Sequence, residues 1–103
     1  MLTDKPIVVK IMQQNKECAL CERVCILTFH HLIPRKLHRR GFFKAHYSKT
    51  QLQTGVMLCT LCHKTIHRFY DEMTLGKKLN TLTSLKADEK IQTHIHWAKK
   101  QKT

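Results

Sequence analysis

Four of the five cysteines in this 103-residue chain fall in two pairs with two residues between partners, Cys18 with Cys21 in CALC and Cys59 with Cys62 in CTLC. That spacing closes a tight turn around a tetrahedral ion, and four thiolates suit Zn²⁺. The odd cysteine count argues against a disulfide framework. The pairs therefore predict a closed structural Zn²⁺ site stapling a small core, with Cys25 left over as a small buried hydrophobe.

A second set of residues uses none of these cysteines. His30 and His31 stand side by side ahead of Pro34, and His63 and His67 lie four apart in a stretch with helical spacing. An i, i+4 pair shares one helical face, so two imidazoles can reach one metal ion. Adjacent strand residues point to opposite faces, so His30 and His31 both reach that ion only if the strand ends or twists between them, which Pro34 favours. Neutral imidazoles select Zn²⁺, Ni²⁺ or another transition metal over hard Mg²⁺. The bland alternative is chance, since a basic chain with eight histidines produces such spacings readily.

These residues need elements to carry them. Pro6 to Met12 and Val24 to Phe29 are rich in β-branched residues and read as strands, the second delivering the paired histidines at its exit. Residues 35 to 50 show neither period and read as a long basic loop around Gly41, with one helical turn at most. Val56 to Leu58 is a short strand running into CTLC. The HKTIHRFYDEM stretch that follows reads as one helix with Ile66, Phe69, Tyr70 and Met73 on related faces. From Asp88 a terminal helix buries Ile91, Ile95 and Ala98. Trp97, Tyr47 and Tyr70 are assigned to core or interhelical packing, and the Phe42–Phe43 pair to local packing rather than base stacking. No repeat or linker divides the chain, so residues 1–103 read as one domain, with a motif core over 18–68 and a helical extension over 74–102.

Composition narrows the partners. With 42% hydrophobic and 25% charged residues, wholesale disorder and low-complexity classes are excluded. The formal charge of +12 predicts a polyanionic partner. Apolar runs such as Ile7 to Val9 fall far short of the ~20 residues a membrane span needs. The opening residues lack a signal-peptide core and cleavage site, so an intracellular protein, cytoplasmic or at the nucleoid or nucleus, is expected. Arg35, Lys36, Arg39, Arg40, Lys64 and Arg68 flank the histidines and are the candidates for phosphate contact, with salt-sensitive binding as the consequence.

Taken together, the order CxxC, strand, HH, basic loop, strand, CxxCH, xxxH is more specific than any part. Through CALC, FHHLIP and GVMLCTLCHKTIH, the segment from Cys18 to about Arg68 resembles the HNH endonuclease family, in its branch with a four-cysteine zinc site. The resemblance covers about half the chain. It implies an α+β fold of the ββα-metal (His-Me finger) kind, in which two strands and a helix wrap one catalytic divalent metal, here Zn²⁺, Ni²⁺, Mn²⁺ or Mg²⁺. By position, His30 matches the metal ligand at the strand end, His31 the general base, and His63 the ligand on the helix. His67 matches a third ligand found in the histidine-rich, bacteriocin-type members. The Asn that orients the base in the family aligns with Thr54, whose hydroxyl can accept a hydrogen bond from an imidazole, with shorter reach.

The implied activity is hydrolysis of DNA phosphodiester bonds, leaving 5′-phosphate and 3′-hydroxyl ends. Double-stranded DNA is the expected substrate, and a chain with one such centre is expected to nick rather than cut both strands; its oligomeric state is left open. Two other readings account for fewer of the residues. One is a zinc module that binds DNA or RNA without cleaving it, and the other is an interaction protein whose basic face meets an acidic partner.

Overall fold

The computed structural model describes residues 16–102, and the strand expected over Pro6 to Met12 lies outside them. Among the described residues the chain forms a mixed α+β fold with two two-stranded antiparallel sheets and six α-helices. The first sheet pairs β1 (Lys16–Glu17) with β2 (Val24–Cys25) around the first cysteine pair. The second pairs β3 (Leu27–His31) with β4 (Gly55–Cys59) in the register Leu27↔Cys59 through His31↔Gly55. The single strand expected from Val24 to Phe29 is thus divided at Ile26 between two sheets, and its second half runs on through both histidines.

Gly55 is required where β4 begins. A Cβ there would run into the backbone carbonyl of His30 and the Phe29 ring, so only a residue without a side chain lets the strands close at this point.

The stretch read as a basic loop is mostly helical. A 3-10 turn spans Arg35–Leu37, followed by α1 (Gly41–His46) and α2 (Lys49–Leu52). Elements of this length show no measurable period, which is why the pattern hid them. They are held instead by a Ser48–Gln51 capping box and by burial of Leu37, Phe43 and Leu52 with Ile33 in a small separate core. Phe43 is fully buried, while Phe42 is half-exposed and stacks on His46.

α3 (Thr60–Phe69) follows β4 without a loop. The single helix expected through Met73 ends early, because Tyr70 adopts extended backbone and Asp71 caps a new helix, its carboxylate accepting the Thr74 N–H at 2.8 Å. That helix, α4 (Glu72–Lys78), leads through α5 (Leu82–Ala87) to α6 (Glu89–Ala98).

α3 is the centre of the molecule and packs against β3, β4 and α6. Its Ile66 joins Leu27, Leu58, Leu75, Leu85 and Ile91 in the main core, and the four paired cysteines belong to the same cluster. On α6 the buried stripe is Ile91, His94, Ile95 and Ala98, as expected apart from the histidine. Trp97 lies beside that stripe and is 52% exposed, so of the two roles expected for it, core or interhelical packing, the core is excluded. Its ring borders an open apolar groove of about 630 Å³ shared with Val24, Ile26 and Leu61. No helix among the described residues is long and apolar enough to cross a membrane.

Candidate metal centres

Cys18, Cys21, Cys59 and Cys62 converge in the core, all buried, with their sulfurs within 4.8 Å of one another. The Cys21 and Cys59 sulfurs are 3.8 Å apart. A disulfide needs ~2.05 Å, whereas thiolates ~2.3 Å from a tetrahedral ion are ~3.8 Å apart, so this is a metal spacing and not a bridge. The backbone is shaped to the same end. Leu20 N–H donates to Cys18 Sγ and Cys62 N–H to Cys59 Sγ, each at 3.4 Å, so both knuckles turn amides toward their sulfurs. Cys59 is also the N-cap of α3, so the second knuckle and the start of the helix are one structure. Glu22, just after the first pair, holds φ at 66° and donates its N–H to Cys18 O, a left-handed turn that usually falls to glycine.

Without an ion the cluster is electrostatically frustrated. A hydrogen bond from the Cys62 thiol pulls Cys18 down to about 4, and the same bond, with burial, holds the proton on Cys62. Burial raises Cys21. Two basic side chains answer this charge. Arg23 Nε donates to Cys21 Sγ and its Nη2 to Cys59 Sγ, both at 3.2 Å. His94 Nε2 lies 3.3 Å from Cys62 Sγ. Cys25 stays outside the cluster, as expected, but it is half-exposed rather than buried, and its thiol meets Arg23 O at 3.5 Å.

The second grouping is His30, His63 and His67, with one ring nitrogen of each within 4.8 Å of the others. β3 supplies His30 on the face toward α3, and α3 supplies the i, i+4 pair. Ring centroids are 5.1 Å from His30 to His63, 5.3 Å from His30 to His67 and 5.1 Å from His63 to His67. His30 is 1% exposed, and neither of its ring nitrogens has a hydrogen-bond partner among the described residues. A buried imidazole seldom goes unpartnered at both nitrogens, so the ring fits a ligand that accepts nitrogen lone pairs. Burial, followed by the neighbouring His63 and His67, lowers its pKa to about 3, and burial also lowers His63. Both rings are therefore neutral at pH 7, the form a metal requires. The set opens outward: His63 is half-buried, His67 is exposed, and both line a shallow cleft of about 460 Å³ with Lys64 and Arg68.

His31 is not in this cluster. The strand stays regular through it, with His30 opposite Val56 and His31 opposite Gly55, and Leu32 N–H continues the ladder to Thr54 O at 3.1 Å. The break expected before Pro34 therefore comes too late to turn His31 toward His30. Its ring meets Phe29 edge-on at 4.8 Å and His38 at 5.6 Å. Burial first, then His38, lowers its pKa, and Arg35 lowers it further, while the Gln53 side chain, as an acceptor for a ring N–H, raises it. Thr54 turns its hydroxyl away, donating to Thr50 O at 3.1 Å.

Among the basic candidates, Arg35, Lys36, Arg39, Arg40, Lys64 and Arg68 are all exposed. Lys64 and Arg68 line the histidine cleft, whereas Lys36 pairs with Glu72 at 3.5 Å. Sequence reasoning missed Arg23, His94, Thr28, Gln53 and His38. Only His94 carried a signal, since it occupies the i+3 position of the stripe that Ile91 begins, where a polar residue needs a buried partner.

Fold and site together define a small α+β protein built around a buried four-cysteine cluster that could hold a structural metal. No family model and no solved structure matches the chain. It is 36% identical over 85 residues, 82% of this chain and 74% of the relative, to the Bacillus subtilis (strain 168) protein described as "Uncharacterized protein YisB". The chain belongs to the YisB family.

Proposed function

We propose that this protein is a metal-dependent endonuclease of the HNH, ββα-metal kind that nicks DNA, with a structural Zn²⁺ at the four cysteines and one catalytic divalent cation at His30, His63 and His67. The observation that carries this reading is His30, whose buried ring has two unpartnered nitrogens facing two further imidazoles. The β3–β4 hairpin leading directly into α3 supports the fold assignment, and the exposure of His67 supports a catalytic rather than a closed site.

A divalent cation held there supplies Lewis-acid stabilisation of charge on phosphate oxygens. The remaining work belongs to side chains. His31, neutral at pH 7, takes the proton of the water that attacks phosphorus in line, while the P–O3′ bond opposite breaks and the departing 3′ oxygen takes a proton from solvent. Gln53, whose side chain favours the protonated form of that imidazole, stands next to Thr54, the position where the family has an Asn to orient the base. Lys64 and Arg68, beside His63 and His67, neutralise flanking phosphates and hold the strand in the cleft.

Plasmid cleavage by wild type and His31→Ala, with metal content measured on both, tests the reading. Nicking by wild type that the variant lacks is the expected result. Folded protein carrying both metals that binds DNA and leaves it intact in Mg²⁺, Mn²⁺, Ni²⁺ and Zn²⁺ would refute it. That outcome would favour a nucleic-acid-binding module without chemistry, a reading supported by the turning of the Thr54 hydroxyl onto Thr50 of the preceding helix.

A further inference from the structure

Thr28 stands two residues before His30 on β3, so both side chains face α3. Its hydroxyl makes two contacts: Oγ1 donates to Leu58 O at 3.1 Å, and Oγ1 lies 2.8 Å from His63 Nδ1. A threonine hydroxyl has one proton. With that proton on the Leu58 carbonyl, the oxygen can only accept at the shorter contact, so Nδ1 of His63 must carry the hydrogen. The tautomer follows: Nε2 of His63 is left with its lone pair, and the ring is held against rotation by a bond to the strand that also carries His30.

We infer that Thr28 is a positioning residue that locks His63 in the Nδ1–H tautomer and so prepares the His30, His63 and His67 group for a soft divalent cation such as Ni²⁺ or Zn²⁺. The inference rests on reading the three histidines as a metal centre, and it does not depend on cleavage. His30 and His67 gain nothing comparable. Among the described residues the buried His30 ring has no partner at either nitrogen, and His67 sits on the exposed side, so His63 is the ligand whose tautomer is set before the ion arrives. A hydrogen-bonding group behind a metal-bound imidazole typically contributes 10–100-fold to metal affinity.

Thr28→Val keeps the shape and the strand preference while removing the hydroxyl, and Thr28→Ser restores the hydroxyl with less bulk. The experiment uses full-length protein with Zn²⁺ already at the cysteines, titrated with Ni²⁺, and reads the His63 tautomer from imidazole nitrogen shifts before the ion is added. The expected result is one Ni²⁺ bound by wild type beside the Zn²⁺, weakened about 10–100-fold in Thr28→Val and recovered in Thr28→Ser. The His63 shifts should move from a single Nδ1–H form to a tautomer mixture in the Val variant alone. Unchanged Ni²⁺ affinity in Thr28→Val, or a wild-type His63 protonated at Nε2, would overturn the inference. Wild type that takes up no second ion would overturn it together with the metal reading. Wild type that binds Ni²⁺ with the predicted Thr28 dependence yet cleaves nothing would uphold it and refute only the nuclease.

Discussion

Replacing Arg23 by Ala removes two hydrogen bonds to the cysteine cluster at once, those of Nε to Cys21 Sγ and Nη2 to Cys59 Sγ, both at 3.2 Å. Four thiolates around Zn²⁺ carry a net charge of about −2, and the guanidinium is the cation bridging two of them. Two hydrogen bonds to charged groups would contribute at least ~3 kcal/mol if buried, but Arg23 is half-exposed, and solvent screening takes the pair below that sum. The expected loss is therefore ~1.4–2.8 kcal/mol of zinc binding, or about 10–100-fold in affinity. Arg23→Lys keeps the charge without the fork, and should recover less than half of that loss. Competition with a chromophoric chelator at neutral pH, on reduced protein, measures it directly. Arg23 Nη1 also reaches Lys102 O at 3.3 Å and Gln101 O at 3.5 Å, so the amides that follow α6 should exchange faster with solvent in the Ala variant. Zinc affinity within twofold of wild type in Arg23→Ala, or a Lys variant equal to wild type, would refute the argument that the fork neutralises the cluster.

Stripping the metal should unfold the chain: structural zinc contributes ~10–16 kcal/mol, against ~5–15 kcal/mol for the net stability of a typical domain. Circular dichroism after chelation under reducing conditions should show loss of helix that returns with Zn²⁺, and an unchanged cooperative melt would contradict it. At the other end of the pH scale, the Tyr70 hydroxyl donates to both Asp88 oxygens, at 2.8 and 2.7 Å, and this raises its pKa from 10 to about 12. The folded state then binds more protons than the unfolded state between these values, so this contribution to stability is lost as pH rises from 10 to 12. Tyr70→Phe should cost ~1 kcal/mol at neutral pH and abolish an absorbance step near pH 12; a step that survives the substitution would assign it elsewhere.

What could be read from the sequence was the part written in local spacing. The CxxC pairs, the i, i+4 histidines and the Ile91, Ile95, Ala98 stripe each specify contacts through one turn or one helical face, and each is found where expected. The basic stretch failed as a helix prediction because elements of four to six residues are set by caps and by one buried Phe or Leu, not by period. The core half of the Trp97 assignment fell for a different reason. A large aromatic is usually buried, but helical phase sets this one beside the stripe of α6, where its ring borders Leu61 and stays half-exposed. The groups around the ligands were hidden by distance along the chain: Arg23 reaches Cys59, His94 reaches Cys62, and Thr28 reaches His63. No pattern within a short window encodes such pairs.

The two candidate centres form a hierarchy because α3 belongs to both. Its N-cap is Cys59 and its first turn holds Cys62, while His63 and His67 follow on the same helix. Cys59 is also the last residue of β4, paired with Leu27 at one end of the hairpin whose other end brings His30 toward α3. An ion at the cysteines would tie the start of α3 to the end of β4, and so would hold the approach in which the His30 and His63 ring centroids lie 5.1 Å apart. The dependence should run one way. The cysteine knuckles are closed by their own amides, by Arg23 and by His94 of α6, and among the described residues none of His30, His63 and His67 hydrogen-bonds to them. Loss of the four-cysteine cluster is therefore expected to scatter the histidine grouping, whereas loss of His30 should leave the cysteines in place.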